Sequence, residues 1–420
     1  MDAKELRRLK PELESFLDRY SPLFGRPEAQ GHARRFVQGL LLGGERRSVE
    51  NIAEAIDGCV VRSLQTFIAN APWDANAVLA DLRRQLAGEW GEPDAVLTVD
   101  ETGFPKKGKL SVGVKKQYSG TLGRTDNCQV GVFLGYHAAK GHTLIDRRLF
   151  LPEEWADDRP RREKAGVPEG VIFRTKPELA LEMVADAVAA GLPFRWVTGD
   201  SVYGVSPTFC RGVRALGKWY VLDSSSDARV WTTEPEVIPA GRKPPGKGRP
   251  TTNPKPTTKA ERVADVAAAL PASAWRRRTV AEGSQGPRVF DYAELTVWFS
   301  EDGLPSGPER LLVRRSLGQE PEWKYHRSNA PAEVSLQTLA EVRAKRWSIE
   351  QDFANGKGEC GLDEYETRGW VGWHHHTALS VLALWFLARQ RDRSGGKKPR
   401  ADRPRGASRT RVSARPAGVG

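Results

Sequence analysis

The sequence predicts an α/β protein, in which helices cover a mixed β-sheet and an all-helical segment comes first. Three observations predict this class. Apolar residues recur at helical spacing through residues 1 to about 90, strand-like runs separated by glycines and charged turns follow, and helices and strands then alternate up to residue 223. A set of strands followed by alternating helices and strands is typical of a mixed sheet covered by helices.

The helical segment has its clearest apolar periodicity at 13–17, 36–42 and 77–86. Between these runs, Ser48 is placed to cap a short helix, with Asn51 three residues later and a second short run at 62–67. This pairing is compatible with a helix-turn-helix that binds DNA. A helical hairpin with no DNA role explains the same pattern, so both readings stay open.

The predicted core contains strands and helices in a fixed order. Its elements are strands at 95–100, 110–116, 128–136 and 142–150, a helix at 177–188, a strand ending before Asp200, a helix at 206–216 and a strand at 219–223.

Residues 224–332 interrupt this core. A loop rich in glycine, proline and lysine runs to about 258, and strand-like runs then appear at 292–299, 310–314 and 323–327. We read them as a small β-rich insertion, after which a helix starting near Glu333 returns the chain to the core. The predicted division is a helical N-terminal domain, the first part of the core, the insertion, the final core helices and a basic tail, at 1–90, 91–223, 224–332, 333–388 and 389–420.

Composition restricts the class of protein. The chain has 420 residues, 39% of them hydrophobic, and a net charge of +12. Eleven Lys and Arg and two Asp lie after residue 388, so most of the excess positive charge belongs to this tail. This tail has few apolar residues to bury, so it is predicted to be disordered and able to contact nucleic-acid phosphates; a solvated tail without a role is the alternative. No apolar run is long enough for a membrane span and the N-terminus lacks a secretory signal, which predicts a cytoplasmic protein. The four cysteines are widely spaced and predict neither a disulfide framework nor a thiolate zinc site.

Three acidic residues are the candidate catalytic and metal-binding groups. Asp100 and Asp200 each end an apolar strand, and Glu350 lies on a predicted helix. A carboxylate at the end of a buried strand is costly unless something pairs with it, so a shared divalent cation would explain the set. Two such ions can cut or transfer phosphodiesters. For each acid taken singly, a surface or capping role is the alternative.

Basic residues accompany these acids. Lys106 and Lys107 follow Asp100 in a turn, while Arg346, Glu350 and Lys357 share one helical face. These four cations are the candidate DNA-binding residues, because lysine and arginine contact phosphates. An exposed ion pair between Arg346 and Glu350 is the alternative, although it leaves Lys357 unexplained.

Two other motifs are interpreted as packing residues. Three adjacent histidines, His374 to His376, point in three directions on a helix, which favours packing over metal binding. Trp298 and Trp323 could stack on an extruded base, but core packing is the favoured reading.

Ordered sequence blocks carry a resemblance to a known family. Among them are Val99–Gly108, Gly199–Gly204, Ser328–Pro331, Arg346–Phe353 and Gly361–Trp370. Over about 30 to 388 the chain resembles DDE transposases of bacterial insertion sequences, specifically the seven-hundred-one insertion-sequence family. The resemblance implies an RNase H-like catalytic domain with a β-rich insertion before the last acid. It also implies Mg²⁺-dependent cutting and joining of DNA, with Mn²⁺ able to substitute. The order of predicted elements agrees with such a domain.

The resemblance also assigns roles and partners. It places the catalytic, metal-binding acids at Asp100, Asp200 and Glu350, and it matches Arg346 and Lys357 but finds Arg343 where the related pattern has tyrosine. The implied partners are double-stranded DNA, as terminal inverted repeats and target, and a second copy of the chain on that DNA, near the nucleoid. Two alternatives stay open: a catalytically silent DNA-binding regulator, and an RNase H-like nuclease that cuts without joining.

Overall fold

The computed structural model describes residues 3–42, 44, 46–120, 123–242, 252–283 and 286–395. The helical pattern predicted for the N-terminal segment is confirmed. Its helices are α1 (Ala3–Tyr20), α2 (Pro27–Leu42), α3 (Val49–Ala55), α4 (Val61–Ala69) and α5 (Ala75–Trp90). Ser48 caps α3 by accepting a hydrogen bond from the backbone N–H of Asn51, which satisfies one of the unpaired donors at a helix start.

The core strands and helices follow α5. They are β1 (Val96–Pro105), β2 (Lys115–Ser119), β3 (Arg124–Ala138), β4 (Gly141–Phe150), α6 (Glu153–Ala156), α7 (Arg159–Ala165), α8 (Lys176–Ala189), β5 (Trp196–Gly199), α9 (Ser201–Gly204), α10 (Pro207–Ala215) and β6 (Trp219–Ser224). A capping box between Thr175 and Glu178 fixes the start of α8.

The second half of the chain adds short strands, a set of long strands and three final helices. They are β7 (Arg229–Trp231), β8 (Val237–Ile238), β9 (Lys255–Pro256), β10 (Glu261–Arg262), α11 (Val263–Ala268), β11 (Arg276–Gly283), β12 (Gly286–Glu301), β13 (Leu304–Arg315), β14 (Trp323–Ser328), α12 (Leu336–Ala344), α13 (Trp347–Cys360) and α14 (Trp370–Arg393).

One mixed sheet organises the molecule, which confirms the predicted α/β class. Its continuous path is β10-β7-β12-β13-β14-β6-β5-β1-β3-β2, with β4 paired to β3 and β11 paired to β12. At its centre β3 lies between β4 and β1 and is antiparallel to both, while β1, β5 and β6 run parallel. The parallel strands need helical crossovers, which α8 and α10 supply.

The strands after residue 224 extend this same sheet. β14 pairs antiparallel with β6, matching Ser328 to Val221, and β13 and β12 follow in order. The sequence predicted a small β-rich insertion here and did not predict that its strands would continue the main sheet. Pairing between β6 and β14 joins segments about a hundred residues apart, which local patterns do not encode.

The second strand begins later than predicted. The sequence placed it at 110–116, whereas β2 starts at Lys115. Gly113 has φ +74°, a conformation that interrupts an extended strand, and the backbone N–H of Val112 bonds to the carbonyl of Arg368 instead of to a neighbouring strand. The apolar character of Val112 and Val114 therefore reflects burial beside a distant segment.

A buried ion network fixes the added strands to α10. Arg327 on β14 donates to Glu301 and Glu309, with distances of 2.8 and 2.5 Å, and Arg214 on α10 donates to the same two carboxylates. Arg327 also donates to the carbonyl of Gly204, the last residue of α9. The two arginines balance the two glutamates, so the charges are paired inside the protein.

One large hydrophobic core spans the N-terminal helices, the first strands and α14. Leu13, Phe36, Leu79, Phe133 and Trp385 all belong to it. The boundary predicted near residue 90 lies within this continuous core, and the division into domains stays a prediction. Two smaller clusters lie between the added strands and α12, and between those strands and α11.

The last helix continues further than predicted. The basic tail was predicted to start at residue 389, but α14 runs to Arg393. Arg389 is nearly buried and donates to Glu89 with distances of 2.6 and 2.8 Å, which stabilises another turn of helix. Residues 396–420 of the predicted tail lie outside the described residues. Among the helices that are described, none is long and apolar enough to cross a membrane.

Candidate active site

Three neighbouring parallel strands carry a carboxylate at the same level of the sheet. Val99 pairs with Gly199, and Gly199 pairs with Leu222. Asp100, Asp200 and Asp223 directly follow these matched residues, so the register aligns them across β1, β5 and β6. The first two were predicted from the sequence. Asp223 was not, although it too ends an apolar strand, and that signal could have identified it.

Local structure fixes the orientation of the two predicted aspartates. Asp200 caps the short helix α9 and accepts a hydrogen bond from the N–H of Val202, at 2.9 Å. Asp100 accepts from the N–H of Glu101, at 2.8 Å. Each interaction uses one carboxylate oxygen, which leaves the second oxygen of each aspartate for another partner.

Glu350 lies on the exposed side of α13, one turn after Arg346. The Arg346 guanidinium donates to Glu350 Oε1 at 2.7 Å, so the ion pair considered as an alternative is present. The same guanidinium also donates to Asp100 Oδ2, at 3.1 Å. Arg346 therefore links Asp100, which lies within β1, to Glu350 on α13, which an isolated surface pair would not do.

Charge is concentrated around this arginine. Arg346 Nε lies 3.7 Å from Asp223 Oδ2, and Asp200 also acts on Arg346 electrostatically. Although burial opposes its charged form, these acids raise the pKa of Arg346 above its usual value. The guanidinium is thus the common cationic partner of the acidic residues at this edge of the sheet.

The two predicted aspartates resist ionisation. Burial, followed by the charge of Asp200, raises the pKa of Asp100 to about 7. Burial, followed by the charge of Glu101, raises the pKa of Asp200 to about 6. Negative charges that are close together in a partly buried site favour protonation, and a nearby cation would reverse this. Perturbed carboxyl groups of this kind are common at functional sites.

Asp223 is neutralised by groups of its own. Arg343 donates to both of its carboxylate oxygens, at 3.1 and 3.0 Å, and the ring of His326 is 2.9 Å from Oδ1. Burial opposes ionisation, but the hydrogen bond and charge of His326 and the charges of Arg343 and Arg346 outweigh it and lower the pKa of Asp223. Arg343, found where the related pattern has tyrosine, is therefore committed to Asp223.

Glu101 is a further acid that sequence reasoning missed. Its carboxylate accepts from Lys176, at 2.7 Å, and from the buried hydroxyl of Tyr203, at 2.8 Å. Lys176 begins α8 and Tyr203 lies on α9, so Glu101 ties both helices to β1 beside Asp100. Its neighbour Asp100 was the more visible residue, because Asp100 directly follows the apolar run.

The predicted DNA-binding lysines differ in their surroundings. Lys107 is exposed. The Lys106 ammonium packs on the ring of Tyr365, 3.5 Å from its centroid, and donates to the Tyr365 carbonyl at 3.3 Å. Burial lowers the pKa of Lys106 to about 8. Lys357 donates to the carbonyl of Gly103 at 3.5 Å, which holds α13 close to β1, and burial lowers its pKa as well.

The three histidines and Trp323 have packing partners. His374, His375 and His376 each place a ring nitrogen near a different backbone carbonyl, at 2.8 to 2.9 Å, and they point in separate directions. This agrees with the packing interpretation. Trp323 makes an edge-on contact with Trp275, with ring centroids 5.3 Å apart, in one of the smaller hydrophobic clusters.

The carboxylates offer the right donor type for a divalent cation but do not form a finished site. In the part of the chain that the structure describes, no group of three or more His, Cys, Asp or Glu is arranged to hold a metal ion. Oxygen donors are nevertheless what Mg²⁺ prefers, and the raised pKa values of Asp100 and Asp200 mark a place with too little positive charge. The residues fit a divalent cation once Arg346 releases the carboxylates of Asp100 and Glu350.

Comparison with known proteins bears on these residues. A family model described as DDE superfamily endonuclease matches residues 19–287, a range that includes Asp100 and Asp200 but ends before Glu350. The probable transposase for insertion sequence element IS701 from Microchaete diplosiphon is 34% identical over 164 residues, and the match spans 39% of this chain and 40% of that relative.

A solved structure adds little. The NurA nuclease from Sulfolobus solfataricus aligns over 69% of this chain and 86% of its own, at 9% identity and a TM-score of 0.23, which is too low to support an argument. The family model, by contrast, matches well over half of the sequence. The chain belongs to the DDE superfamily endonucleases.

Proposed function

We propose that this protein is a DNA transposase that cleaves the ends of an insertion sequence and joins them to target DNA. One observation carries the proposal. Asp100 and Asp200 lie side by side on parallel strands, and Arg346 connects Asp100 to Glu350 on α13. Family membership and the partial similarity to a probable transposase support the same function.

The proposed catalytic core is RNase H-like. The central strand order β4-β3-β1-β5-β6 supports this, with three antiparallel strands followed by two that are parallel to β1. In the proposed division, 91–223 and 333–388 form the core, 224–332 interrupts it, and 1–90 contributes helices that recognise the terminal repeats. The basic segment after 388 remains part of the proposal as an additional contact to DNA.

The proposed cofactor is Mg²⁺, with Mn²⁺ able to substitute, held by Asp100, Asp200 and Glu350. When bound, such ions activate an attacking oxygen and stabilise a leaving oxygen. The chain itself presents the carboxylates at one edge of the sheet and holds β1 against α13 through Lys357. Arg346 and the exposed Lys107 neutralise backbone phosphates, which positions DNA without reading its sequence. Lys106 joins them only if it leaves Tyr365.

The proposed partner is double-stranded DNA, first as the terminal inverted repeats and then as the target. A homodimer on DNA would bring two element ends together.

Cleavage and joining by aspartate variants test the proposal. The substrate is a labelled plasmid that carries the DNA flanking the gene, mixed with an unlabelled target plasmid and Mg²⁺. Wild type should cut the ends and link them covalently to the target. Asp100→Asn and Asp200→Asn should lose both steps and still bind the DNA. Asp186→Asn is the matched control, because Asp186 is half-exposed on α8 and pairs with Arg148.

Each outcome separates the candidates. Cutting and joining by wild type and Asp186→Asn, but not by Asp100→Asn or Asp200→Asn, supports the transposase. Cutting without joining identifies a nuclease, and binding without cutting identifies a DNA-binding regulator. Normal cutting by Asp100→Asn or Asp200→Asn contradicts the catalytic assignment.

A further inference from the structure

Arg346 contacts two of the proposed metal ligands at the same time. Its guanidinium donates to Asp100 Oδ2 at 3.1 Å and to Glu350 Oε1 at 2.7 Å. Both acids belong to the proposed metal-binding set. A carboxylate oxygen that accepts a short charge-assisted hydrogen bond is less available to a cation.

The charge of the group shows why an internal cation is needed. Asp100, Asp200 and Asp223 are aligned across neighbouring strands, and Glu350 on α13 shares Arg346 with Asp100. Several carboxylates this close together repel one another in a partly buried place. Arg346 is the basic residue that contacts two members of the proposed metal-binding set, and only 17% of its side chain is exposed.

We propose that Arg346 sets the affinity of the site for divalent cations by acting as an exchangeable counter-ion. It holds Asp100 and Glu350 in the DNA-free protein, and metal binds in full only when the guanidinium leaves them. The inference rests on the proposed function, because it assumes that these acids are the metal ligands. It adds that Arg346 keeps the metal site incomplete until another anion binds its guanidinium.

The surroundings of Arg346 allow this exchange. Asp223 lies 3.7 Å from Arg346 Nε and keeps Arg343 and His326 as partners, so it is not left unpaired when Arg346 moves. Nε itself is buried and makes no hydrogen bond. The hydrogen bonds that the guanidinium gives up are those of two ion pairs, one of them to an exposed carboxylate.

A DNA phosphate is the anion that fits the vacated guanidinium. Arginine binds phosphate with two parallel hydrogen bonds, in the same way that it binds carboxylates. Arg346 precedes α13 at its N-terminal end and Glu350 is exposed there, so a backbone phosphate can approach without entering the core. DNA binding would then release the acids at the moment when the metal is required.

Metal binding to the DNA-free, full-length chain tests the inference without any activity measurement. Titration with Mn²⁺ by calorimetry should show weak binding to wild type. Arg346→Met removes the charge and keeps most of the aliphatic bulk. It should tighten Mn²⁺ binding about tenfold, because Mn²⁺ no longer competes with Arg346 for the carboxylates of Asp100 and Glu350. Arg346→Gln is a second neutral variant in case the first folds poorly, and Arg346→Lys should stay nearer to wild type.

Controls locate the effect. Arg277 on β11 pairs with Asp291 on β12, and Arg277→Met should leave Mn²⁺ affinity unchanged. Asp100→Asn combined with Arg346→Met should abolish the gain. Unchanged affinity in both neutral variants of Arg346 overturns this inference, provided that Asp100→Asn still removes the Mn²⁺ bound by wild type. If Asp100→Asn leaves Mn²⁺ binding intact, the proposed metal site itself is wrong.

Discussion

Five charged side chains carry the chemistry proposed for this molecule: Asp100, Asp200, Asp223, Arg346 and Glu350. Neighbours in sequence orient Asp100, Asp200 and Glu350, whereas Asp223 is held by Arg343, 120 residues further along the chain. Burial strengthens the interactions among them, because charges interact more strongly away from water. At the scale of residues, the function therefore depends on how negative charge is balanced.

Asp223 should act as a positioning residue and not as a metal ligand, since Arg343 and His326 already occupy its oxygens. We expect Asp223→Asn to lower the cleavage rate about 10- to 100-fold, the usual size of effect for a group that supports ligands. Mn²⁺ affinity should change little, in contrast to Asp100→Asn. Asp227→Asn, which affects an exposed pair with Arg262, is the control for kinetics and calorimetry. Complete loss of Mn²⁺ binding in Asp223→Asn would make it a ligand.

His376 should make stability depend on pH. Burial lowers its pKa from 6.5 to about 4 in the folded protein, where Nε2 faces the carbonyl of Gly361. The unfolded chain therefore binds more protons between these two values, and stability is lost as pH falls from about 6.5 to about 4. The shift corresponds to about 3 kcal/mol.

The matched variant for this histidine is His376→Gln, which keeps a donor for Gly361 but does not titrate. Its urea midpoint should fall less steeply than that of wild type between pH 6.5 and 4. Equal slopes for the two proteins would show that His376 does not titrate with folding.

Among the elements, β14 and α10 are joined by the network of Arg214, Arg327, Glu301 and Glu309. Glu309→Gln leaves Arg327 and Arg214 with too few anions in a buried place, and removing one partner of a buried pair costs ~3–5 kcal/mol. We expect a large fall in the free energy of unfolding, measured by urea. Asp302→Asn removes an exposed carboxylate that pairs with Arg211, and it should cost less than about 1 kcal/mol. Similar costs for both variants would mean that the network adds no stability.

Local patterns predicted most elements of the core but not their partners. The apolar runs before Asp100 and Asp200 were predicted to be strands from their local pattern, although β1 continues past Asp100 to Pro105. The pairing of β14 with β6 was not predicted, since it depends on segments far apart in sequence. Asp223 was overlooked although it also follows an apolar run, and its alignment with Asp200 depends on the parallel pairing of β5 and β6.

The candidate site shows the same division between local and distant information. Spacing on one helical face linked Arg346 with Glu350, and the structure contains that ion pair. The contact from Arg346 to Asp100 crosses 246 residues of sequence, so no local pattern could indicate it. The packing of Lys106 on Tyr365 is similarly distant, and it places the ammonium against the protein instead of in solvent.

At the scale of the whole molecule, α14 joins the N-terminal helices to the sheet. Trp385 donates to Gln85 on α5, and buried Arg147 on β4 donates to Asn76 and to the carbonyl of His374. These contacts lie within one continuous hydrophobic core. The predicted N-terminal domain would therefore share its core with the catalytic part of the chain.

Removing the N-terminal helices should expose the apolar face of α14. We expect the fragment 91–420 to aggregate or to bind a hydrophobic dye strongly, because large exposed apolar patches are unfavourable in water. Gel filtration and dye fluorescence against the full chain measure this. A monomeric fragment that unfolds cooperatively would instead establish the boundary near residue 90 as a boundary between independent domains.

Glu350 gives the most direct test of the central claim, that Asp100, Asp200 and Glu350 form one metal-dependent catalytic site. The measurement is Mg²⁺-dependent nicking of the plasmid that carries the DNA flanking the gene, by wild type, Glu350→Gln and the control Glu341→Gln. Glu341 is an exposed residue of α12 that accepts from Gln337. Wild type and Glu341→Gln should nick the plasmid, and Glu350→Gln should bind it without nicking. Nicking by Glu350→Gln at the wild-type rate would contradict the account.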